Sequence, residues 1–304
     1  MTIQNSQNPE QRASAIITQK FLESPIGPGL HVVSTPIGNL GDITLRALAT
    51  LNQSHWIICE DTRVTRKLTS HYSINTRLLS YHDHSRPDVL LSIIEILKSG
   101  KIVSLVSDAG TPTVSDPGYK LINAAIEAEI PITTVPGVSA VVSALSVSGL
   151  PTDKFLFFGF LPPRTASRIR ALKRLRNLAA SLVFYESPRR FSACLSDMSQ
   201  VLGPREAVVA RELTKRHEEI RRGDLGRLAL EAANDKPPKG ELVILLGPPK
   251  VSTRLDINSV KELLSSALKT ESLRDAATSV ASQTGHARRD IYSLALSLKD
   301  SQKP

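Results

Sequence analysis

The chain of 304 residues carries 38 lysines and arginines against 29 acidic residues, so its formal net charge is +9. This length is enough for two domains with hydrophobic cores, and 41% hydrophobic with 22% charged residues exclude a wholly disordered chain. Two cysteines exclude a disulfide framework and a four-cysteine zinc site, and 4% aromatic residues argue against a protein that mainly stacks unpaired bases.

Residues 1–29 are predicted to form a disordered leader, because they are rich in Gln, Asn and Ser and end in Pro and Gly. The first residues lack a basic cluster followed by an apolar core, which argues against a secretory signal. The longest apolar runs, such as residues 242–246, are far shorter than the roughly 20 residues that cross a bilayer. We therefore expect a cytoplasmic protein with no membrane partner.

A first α/β domain is predicted over residues 30–150, where short apolar runs alternate with helical periodicity. The apolar runs predict buried strands at residues 30–34, 55–59, 101–106 and 130–135. The periodic segments predict helices at residues 42–53, 62–71, 87–98 and 117–129. Asp42 and Thr62 are expected as N-caps, and Pro87 and Pro117 suit first helical turns. This alternation implies a mostly parallel sheet with helices on both faces.

A second α/β domain is predicted over residues 151–248, with a mixed sheet because several strands follow one another closely. Its strands are predicted at residues 155–160, 182–185, 207–211, 217–222 and 241–246, and its helices at residues 167–180, 188–202 and 225–234. A small helical extension over residues 256–304 follows, with helices predicted at residues 257–269, 273–283 and 287–299. The break at Gly285 between the last two is typical of a helix-turn-helix.

The positive charge is concentrated in residues 164–227, which contain 15 basic against 7 acidic residues. A surface of one sign raises the local concentration of polyanions and speeds their capture. This segment therefore indicates either a nucleic-acid interface or a basic, solvated face that favours solubility.

Four strand ends of the first domain carry small polar residues, glycine and proline, in segments 35–42, 59–63, 107–118 and 136–140. Open α/β sheets bind ligands outside the carboxyl ends of their strands. Glycine lets backbone approach a ligand, and short Ser, Thr and Asp side chains supply hydrogen bonds. Each loop alone can be explained as a chain turn, but four at one edge favour a ligand-binding crevice.

Common cofactor and catalytic signatures are absent from the sequence. It contains no GxGxxG, GxxxxGK[ST] or GxSxG, which argues against Rossmann dinucleotide binding, a Walker A loop and a serine-hydrolase elbow. His82 and His84 offer two imidazoles, but the spacing fixes no third ligand, so we predict no metal.

Nine segments carry a resemblance to a known family: STPIGNLGDIT (34–44), CEDTR (59–63), SYHDH (80–84), VSDAGTPTVSDPG (106–118), VPGVSA (135–140), GFLP (159–162), YESPRR (185–190), RELTKRHEEIRRG (211–223) and GELVILL (240–246). They resemble the ribosomal RNA small subunit methyltransferase I family, a branch of the tetrapyrrole methylase superfamily. The resemblance implies S-adenosylmethionine-dependent transfer of methyl to the ribose 2′-oxygen of cytidine 1402 in 16S ribosomal RNA. Two departures are the leader, which is additional, and Arg189, which stands where the family pattern has His.

The resemblance also implies a tetrapyrrole-methylase-like fold of two α/β domains with the methyl donor held between them. The residues implied in cofactor binding are Gly38, Asp108, Ala109, Gly110, Thr111, Asp116, Ser139, Ala140 and Gly240. Asp108 and Asp116 are expected to accept hydrogen bonds from the cofactor. Helix capping is the alternative role for both carboxylates.

Methyl transfer from a sulfonium requires alignment more than acid–base chemistry, but a nearby carboxylate or imidazole can take the proton of the ribose hydroxyl. The candidates at strand ends are Glu60, Asp61 and His82. We expect Asp61 to accept the proton, with Arg63 holding the adjacent phosphate. The alternative is a purely structural salt bridge between Asp61 and Arg63.

The expected RNA-binding surface consists of the second domain and the C-terminal helices. The residues predicted to contact phosphates are Arg189, Arg190, Lys215, Arg216, Arg221 and Arg222. The competing interpretation is that Arg189, Arg190, Lys215 and Arg216 brace the domain interface through carboxylates such as Glu186 and Glu212.

The predicted partner is the small ribosomal subunit, and the resemblance implies a homodimer. A tetrapyrrole-type small-molecule methyltransferase is the alternative function, which the basic segment disfavours. A silent RNA-binding protein is a third possibility, which the four ligand-type strand ends disfavour.

Overall fold

The computed structural model describes residues 25–249 and 257–300. Most of the predicted leader, residues 1–24, lies outside the described residues, as do residues 250–256 and 301–304 at the borders of the helical extension.

The first sheet contains five parallel strands in the order β3-β2-β4-β1-β5. These are β1 (Gly29–Val33), β2 (Trp56–Cys59), β3 (Arg77–Ser80), β4 (Ile102–Leu105) and β5 (Ile132–Val135). The helices between and after them are α1 (Leu45–Gln53), α2 (Thr62–His71), α3 (Pro87–Lys98), α4 (Tyr119–Glu127) and α5 (Ala140–Ser148). The mostly parallel sheet predicted from the sequence is confirmed, and all five carboxyl ends lie at one edge.

Helices cover both faces of this sheet. Successive strand residues point to opposite faces, and Ile57 and Ile58 of β2 accordingly belong to two separate hydrophobic clusters. Ile58 packs in the cluster that contains α3 and α4 residues such as Ile93 and Leu121, whereas Ile57 packs in the cluster of α1 residues such as Leu51. Burial on both faces explains why these strands are apolar throughout.

Two predicted helix starts and one predicted N-cap are wrong. Residues Leu40–Asp42 form a separate 3₁₀ turn, and Thr44 caps α1 by accepting a hydrogen bond from the backbone N–H of Ala47 at 3.1 Å. Asp61 rather than Thr62 caps α2. The last of the four predicted helices begins after Gly118, which has φ of 124° and ends the tight loop that contains Pro117.

The second sheet is mixed, as predicted, with strands in the order β6-β7-β10-β8-β9. They are β6 (Phe155–Phe160), β7 (Ser181–Glu186), β8 (Glu206–Arg211), β9 (Glu219–Asp224) and β10 (Leu242–Leu246), and only β6 and β7 pair in parallel. One face packs against α6 (Thr165–Leu175), α7 (Phe191–Leu202) and α8 (Leu225–Asn234).

The other face of the second sheet packs against the first domain. Val183, Val208 and Leu245 of this sheet share a hydrophobic cluster with Ala144 and Leu145 of α5. This apolar contact fixes the carboxyl edge of the first sheet against the second sheet, where the site is found.

The C-terminal helices are α9 (Ile257–Ala267), α10 (Leu273–Thr284) and α11 (Arg288–Asp300). They share a small core of residues that includes Val260, Ala277 and Ile291. Gly285, with φ of 68°, makes the turn between α10 and α11, in agreement with the predicted helix-turn-helix. None of the described helices is both long enough and apolar enough to cross a membrane.

Candidate functional site

A cavity of about 330 Å³ lies between the two sheets at the carboxyl edge of the first. We call it the inner cavity. The first domain lines it with Ile37, residues 109–111 and 114–116 after β4, and residues 139–140 after β5. The second domain lines it with Phe160, residues 185–188 at the end of β7, and residues 240–243 at the start of β10.

Seven of the nine predicted cofactor residues line the inner cavity: Ala109, Gly110, Thr111, Asp116, Ser139, Ala140 and Gly240. Gly38 and Asp108 do not. Gly38 lies beneath the Lys215 side chain, so closely that a Cβ atom there would clash with Lys215 Cγ. Asp108 instead accepts a hydrogen bond from the Asp61 backbone N–H at 3.2 Å.

The backbone of Gly110 pairs within the protein. Its N–H donates to the Thr35 carbonyl at 3.0 Å, and its own carbonyl accepts from the Thr35 N–H at 2.9 Å. Gly110 has φ of 81°, a conformation that favours glycine. Gly110 therefore shapes the cavity wall, and its N–H is already used by Thr35.

Asp116 places a half-buried carboxyl group in the inner cavity. Burial, with the nearby charges of Glu60 and Asp108, raises its pKa to about 6, against the opposing effect of a hydrogen bond from Ser107. Asp116 caps no helix, because Gly118 precedes α4. Asp108 does not occupy an N-cap position either, so the capping alternative is wrong for both carboxylates.

Asp61 and Arg63 form an ion pair at the end of β2. Arg63 Nη2 donates to Asp61 Oδ2 at 2.7 Å, and Arg63 Nε donates to Asp61 Oδ1 at 3.1 Å. These hydrogen bonds lower the pKa of Asp61 to about 2, so its carboxylate is a weak base. Arg63 itself is 88% exposed.

Glu60 and His82 lie beside this ion pair, at the neighbouring strand ends. Partial burial and the charge of Asp108 raise the pKa of Glu60, and His82 opposes that shift. Both side chains are exposed. The structure thus brings together the four residues predicted for catalysis, and the described residues contain no cluster of His, Cys, Asp and Glu suited to a metal ion.

Four of the six predicted RNA contacts are engaged within the protein. Arg190 pairs with buried Glu186 at 2.9 Å, and Lys215 pairs with Glu212 at 2.9 Å. Glu186 and Glu212 are the carboxylates that the bracing interpretation names, but both pairs lie within the second domain and neither crosses the domain interface. Lys215 also binds the cavity-lining Glu241 at 3.1 Å.

Arg221 and Arg222 are also engaged within the protein, whereas Arg189 and Arg216 are not. Arg221 pairs with Glu231 at 2.8 Å, and Arg222 Nε donates to the Ser148 carbonyl of α5 at 3.2 Å. Arg189 and Arg216 are exposed, and no hydrogen bond or ion pair engages their side chains in the described part of the chain.

The sequence-based search missed the cavity wall that the second domain supplies, apart from Gly240. Phe160, Tyr185 and Glu186 end the parallel pair β6 and β7. The segments GFLP and YESPRR stand at the carboxyl ends of these two strands. Ligands lie beyond the carboxyl ends of strands, so the rule used for the first domain would have found these residues too.

Comparisons with known proteins agree with this architecture. The family described as Tetrapyrrole (Corrin/Porphyrin) Methylases matches residues 29–229, and the family described as the RsmI C-terminal HTH domain matches residues 256–299. Diphthine synthase has a similar structure, with a TM-score of 0.57 at 15% identity over 72% of this chain and 89% of that chain. A uroporphyrin-III C-methyl transferase from Thermus thermophilus, complexed with S-adenyl homocysteine, gives a TM-score of 0.50 at 17% identity. The match covers 72% of this chain and 97% of that chain. At these identities the two structures show the fold alone.

Curated relatives match at much higher identity. A protein named ribosomal RNA small subunit methyltransferase I from Mesorhizobium japonicum is 44% identical, over 91% of this chain and 94% of the relative. A protein of the same name from Erythrobacter litoralis is 48% identical, over 90% of this chain and 97% of the relative. With its two-sheet fold and matching C-terminal helices, the chain belongs to the tetrapyrrole methylase family, within the group of ribosomal RNA small subunit methyltransferase I proteins.

Proposed function

We propose that this protein is an S-adenosylmethionine-dependent methyltransferase that transfers methyl to the ribose 2′-oxygen of cytidine 1402 in 16S ribosomal RNA. The observation that carries the proposal is the inner cavity, which both domains line and which contains seven of the nine residues expected to bind the cofactor. The names of the relatives support ribosomal RNA as the substrate class. The family resemblance supports the nucleotide and the 2′-oxygen, and the cytoplasm, where the small subunit is found, as the place of action.

The residues of the inner cavity fit S-adenosylmethionine. Its volume of about 330 Å³ lies in the range of ligand pockets, roughly 300–1,000 Å³. Ile37, Leu242 and Val243 offer apolar walls for the adenine ring. The Asp116 carboxylate can accept hydrogen bonds from a hydroxyl or amino group of the ligand. The bound cofactor supplies a methyl group already activated on a sulfonium.

The protein has two tasks in this reaction: to orient the ribose and to take its proton. Asp61 was expected to take the proton, but its ion pair with Arg63 makes it a weak base. Glu60 is next to it in sequence and has a raised pKa, so it is the better acceptor at neutral pH. Accordingly, Glu60→Gln should lower kcat more than Asp61→Asn, measured at saturating cofactor.

The test of the function uses small ribosomal subunits from a strain in which the gene is deleted. Primer extension at low nucleotide concentration should stop at the target only after incubation with this protein and S-adenosylmethionine. A stop that is present without the protein, or absent with it, contradicts the proposal. Methylation of a tetrapyrrole but not of the subunit would favour the small-molecule alternative.

A further inference from the structure

A second cavity, of about 470 Å³, lies beside the inner one, and Ser139 lines both. We call it the outer cavity. The first domain lines it with Asp42 and Thr44 just before α1, the loop 137–139, and Val142 and Ser143 of α5. The second domain contributes Thr214. Like the inner cavity, it is therefore built by both domains.

Two polar atoms in this wall are buried and have no partner among the described residues: Asp42 Oδ2 and Thr214 Oγ1. Buried polar atoms in native proteins are nearly always hydrogen-bonded, so an unpaired one calls for an explanation. Lys215, next to Thr214 in sequence, does not neutralise Asp42, because its Nζ binds Glu212 and Glu241. Both unpaired atoms belong to residues that line the same cavity, one from each domain, so a rotation of either side chain would offer its oxygen to a polar ligand there.

The chemistry of the wall restricts this ligand. A carboxylate oxygen accepts hydrogen bonds and donates none, so the group beside Asp42 must be a donor. Val138 and Val142 add apolar surface, and Val142 is 60% exposed although it is aliphatic. A flat ring with an amino group on its edge meets both requirements, because its faces pack on aliphatic side chains while the amino group faces the carboxylate.

Positive charge for an attached phosphate is available nearby in the sequence. Arg216 follows Thr214 by two residues, is exposed, and has no ion pair in the described segments. A nucleotide whose base carries an amino group combines these two features.

We propose that the outer cavity receives the base of the target nucleotide, and that Asp42 accepts a hydrogen bond from the exocyclic amino group of cytosine. This inference rests on the proposed function. Acidic side chains read cytosine through this amino group in nucleic-acid complexes. Uracil presents a carbonyl oxygen at the same position. That oxygen and the Asp42 carboxylate are both acceptors, so no hydrogen bond could form between them. Asp42 thereby selects cytidine, and the adjacent inner cavity holds the methyl donor.

The test compares small-subunit RNA substrates with cytidine or uridine at the target, assembled into unmethylated subunits. Wild-type protein should methylate the cytidine substrate with a kcat/KM about tenfold or more above the uridine substrate. Asp42→Asn offers an amide N–H₂ that can donate to uracil, so the cytidine-to-uridine ratio should fall by about tenfold or more. Asp42→Ala should lose the preference without a gain on uridine.

Controls separate this effect from a general defect. Asp88→Asn removes a carboxylate on α3 that is 61% exposed and pairs with Arg86, so its ratio should equal that of wild type. Calorimetry with S-adenosylmethionine and thermal unfolding should show that Asp42→Asn is folded and binds the cofactor.

Each other result has a definite meaning. Wild-type activity on cytidine with an unchanged ratio in Asp42→Asn overturns the base-reading role and leaves the proposed function intact. Equal loss on both substrates assigns Asp42 to the ribose or the reaction, and likewise overturns it. Wild-type protein that methylates neither RNA overturns the proposed function and this inference together.

Discussion

Two carboxylates near the inner cavity are perturbed in opposite directions by their surroundings. Asp116 is half-buried and its pKa is raised, whereas Asp61 is held ionised by Arg63. A raised pKa means that the ionised carboxylate is less stable in the folded chain than in the unfolded chain. Asp116 therefore lowers the stability of the fold at neutral pH, which is consistent with a residue retained for ligand binding.

This cost predicts a pH dependence for Asp116→Asn. In the wild type, stability due to this group falls as pH rises from about 4, its ordinary pKa, to about 6, its pKa in the fold, and is constant above. The variant has no carboxyl group to titrate at this position. The difference in unfolding free energy, variant minus wild type, should therefore be more positive at pH 7.5 than at pH 4.5. Urea unfolding at both pH values measures the change.

Asp61→Asn serves as the control for this measurement. The pKa of Asp61 is lowered, so its stabilising contribution is nearly complete at pH 4.5 and is lost only as the pH falls toward 2. The difference in unfolding free energy between Asp61→Asn and wild type should therefore change little between pH 4.5 and 7.5. Equal pH dependence in the two variants would argue against the buried state of Asp116. In the same series, Asp116→Asn should bind S-adenosylmethionine more weakly than wild type does.

Gly110 has a positive φ and pairs through its backbone with Thr35 in the cavity wall. Gly110→Val should lower the free energy of unfolding by about 1–3 kcal/mol and weaken S-adenosylmethionine binding, because the strained backbone distorts the cavity wall. Gly149→Val is a matched control, since Gly149 has φ of 78° with open space around it and is outside the cavity. It should lose comparable stability but keep its affinity in calorimetry. Unchanged affinity in Gly110→Val would contradict the assignment of this loop.

The strands and helices with strong hydrophobic periodicity were predictable from the sequence. Those with weak hydrophobic periodicity were not. β3 was missed because this short edge strand, Arg77–Ser80, has exposed ends and only two apolar residues. α5 was missed because its sequence, AVVSALSVS, is rich in Val and Ser, which do not favour helices. Packing against the second sheet stabilises it instead.

The site was predictable to a similar degree. The strand-end rule found the first-domain wall, because parallel strands bring their carboxyl ends together whatever the rest of the fold does. It could not show that Arg190 and Lys215 turn inward, since this depends on how the loops after β7 and β8 place them beside Glu186 and Glu241. Exposed Arg189 and Arg216 are indistinguishable from them in sequence.

This division among basic residues predicts two kinds of variant. Arg189→Ala with Arg216→Ala should weaken RNA-substrate binding and reduce its log–log salt slope by roughly 0.7–0.9 per lost phosphate contact, with cofactor affinity and stability unchanged. Arg190→Ala with Lys215→Ala should lower stability and cofactor affinity, because each substitution removes the cationic partner of a cavity-lining carboxylate. Filter binding at several salt concentrations and calorimetry measure the two effects. An unchanged salt slope in the first pair would contradict a phosphate role.

For the whole molecule, the expected assembly is a homodimer, a prediction that rests on the family resemblance. Sedimentation equilibrium at micromolar concentration should then give about twice the chain mass of 33.1 kDa. A mass near 33.1 kDa would contradict it. The measurement is best made with and without S-adenosylmethionine, because a ligand that binds the assembled form preferentially strengthens assembly.

One side chain links the second sheet to helix α5 of the first domain by hydrogen bonds. Arg222 of β9 donates hydrogen bonds to the carbonyl oxygens of Val147 and Ser148 at the end of α5. The other end of this nine-residue helix, about 13 Å away, begins at the cavity-lining Ala140. Any partner that displaces β9 therefore acts on the wall of the cofactor cavity through a rigid rod. If RNA is such a partner, thermodynamic reciprocity requires that RNA and the ligand of the inner cavity alter each other's affinity by the same factor.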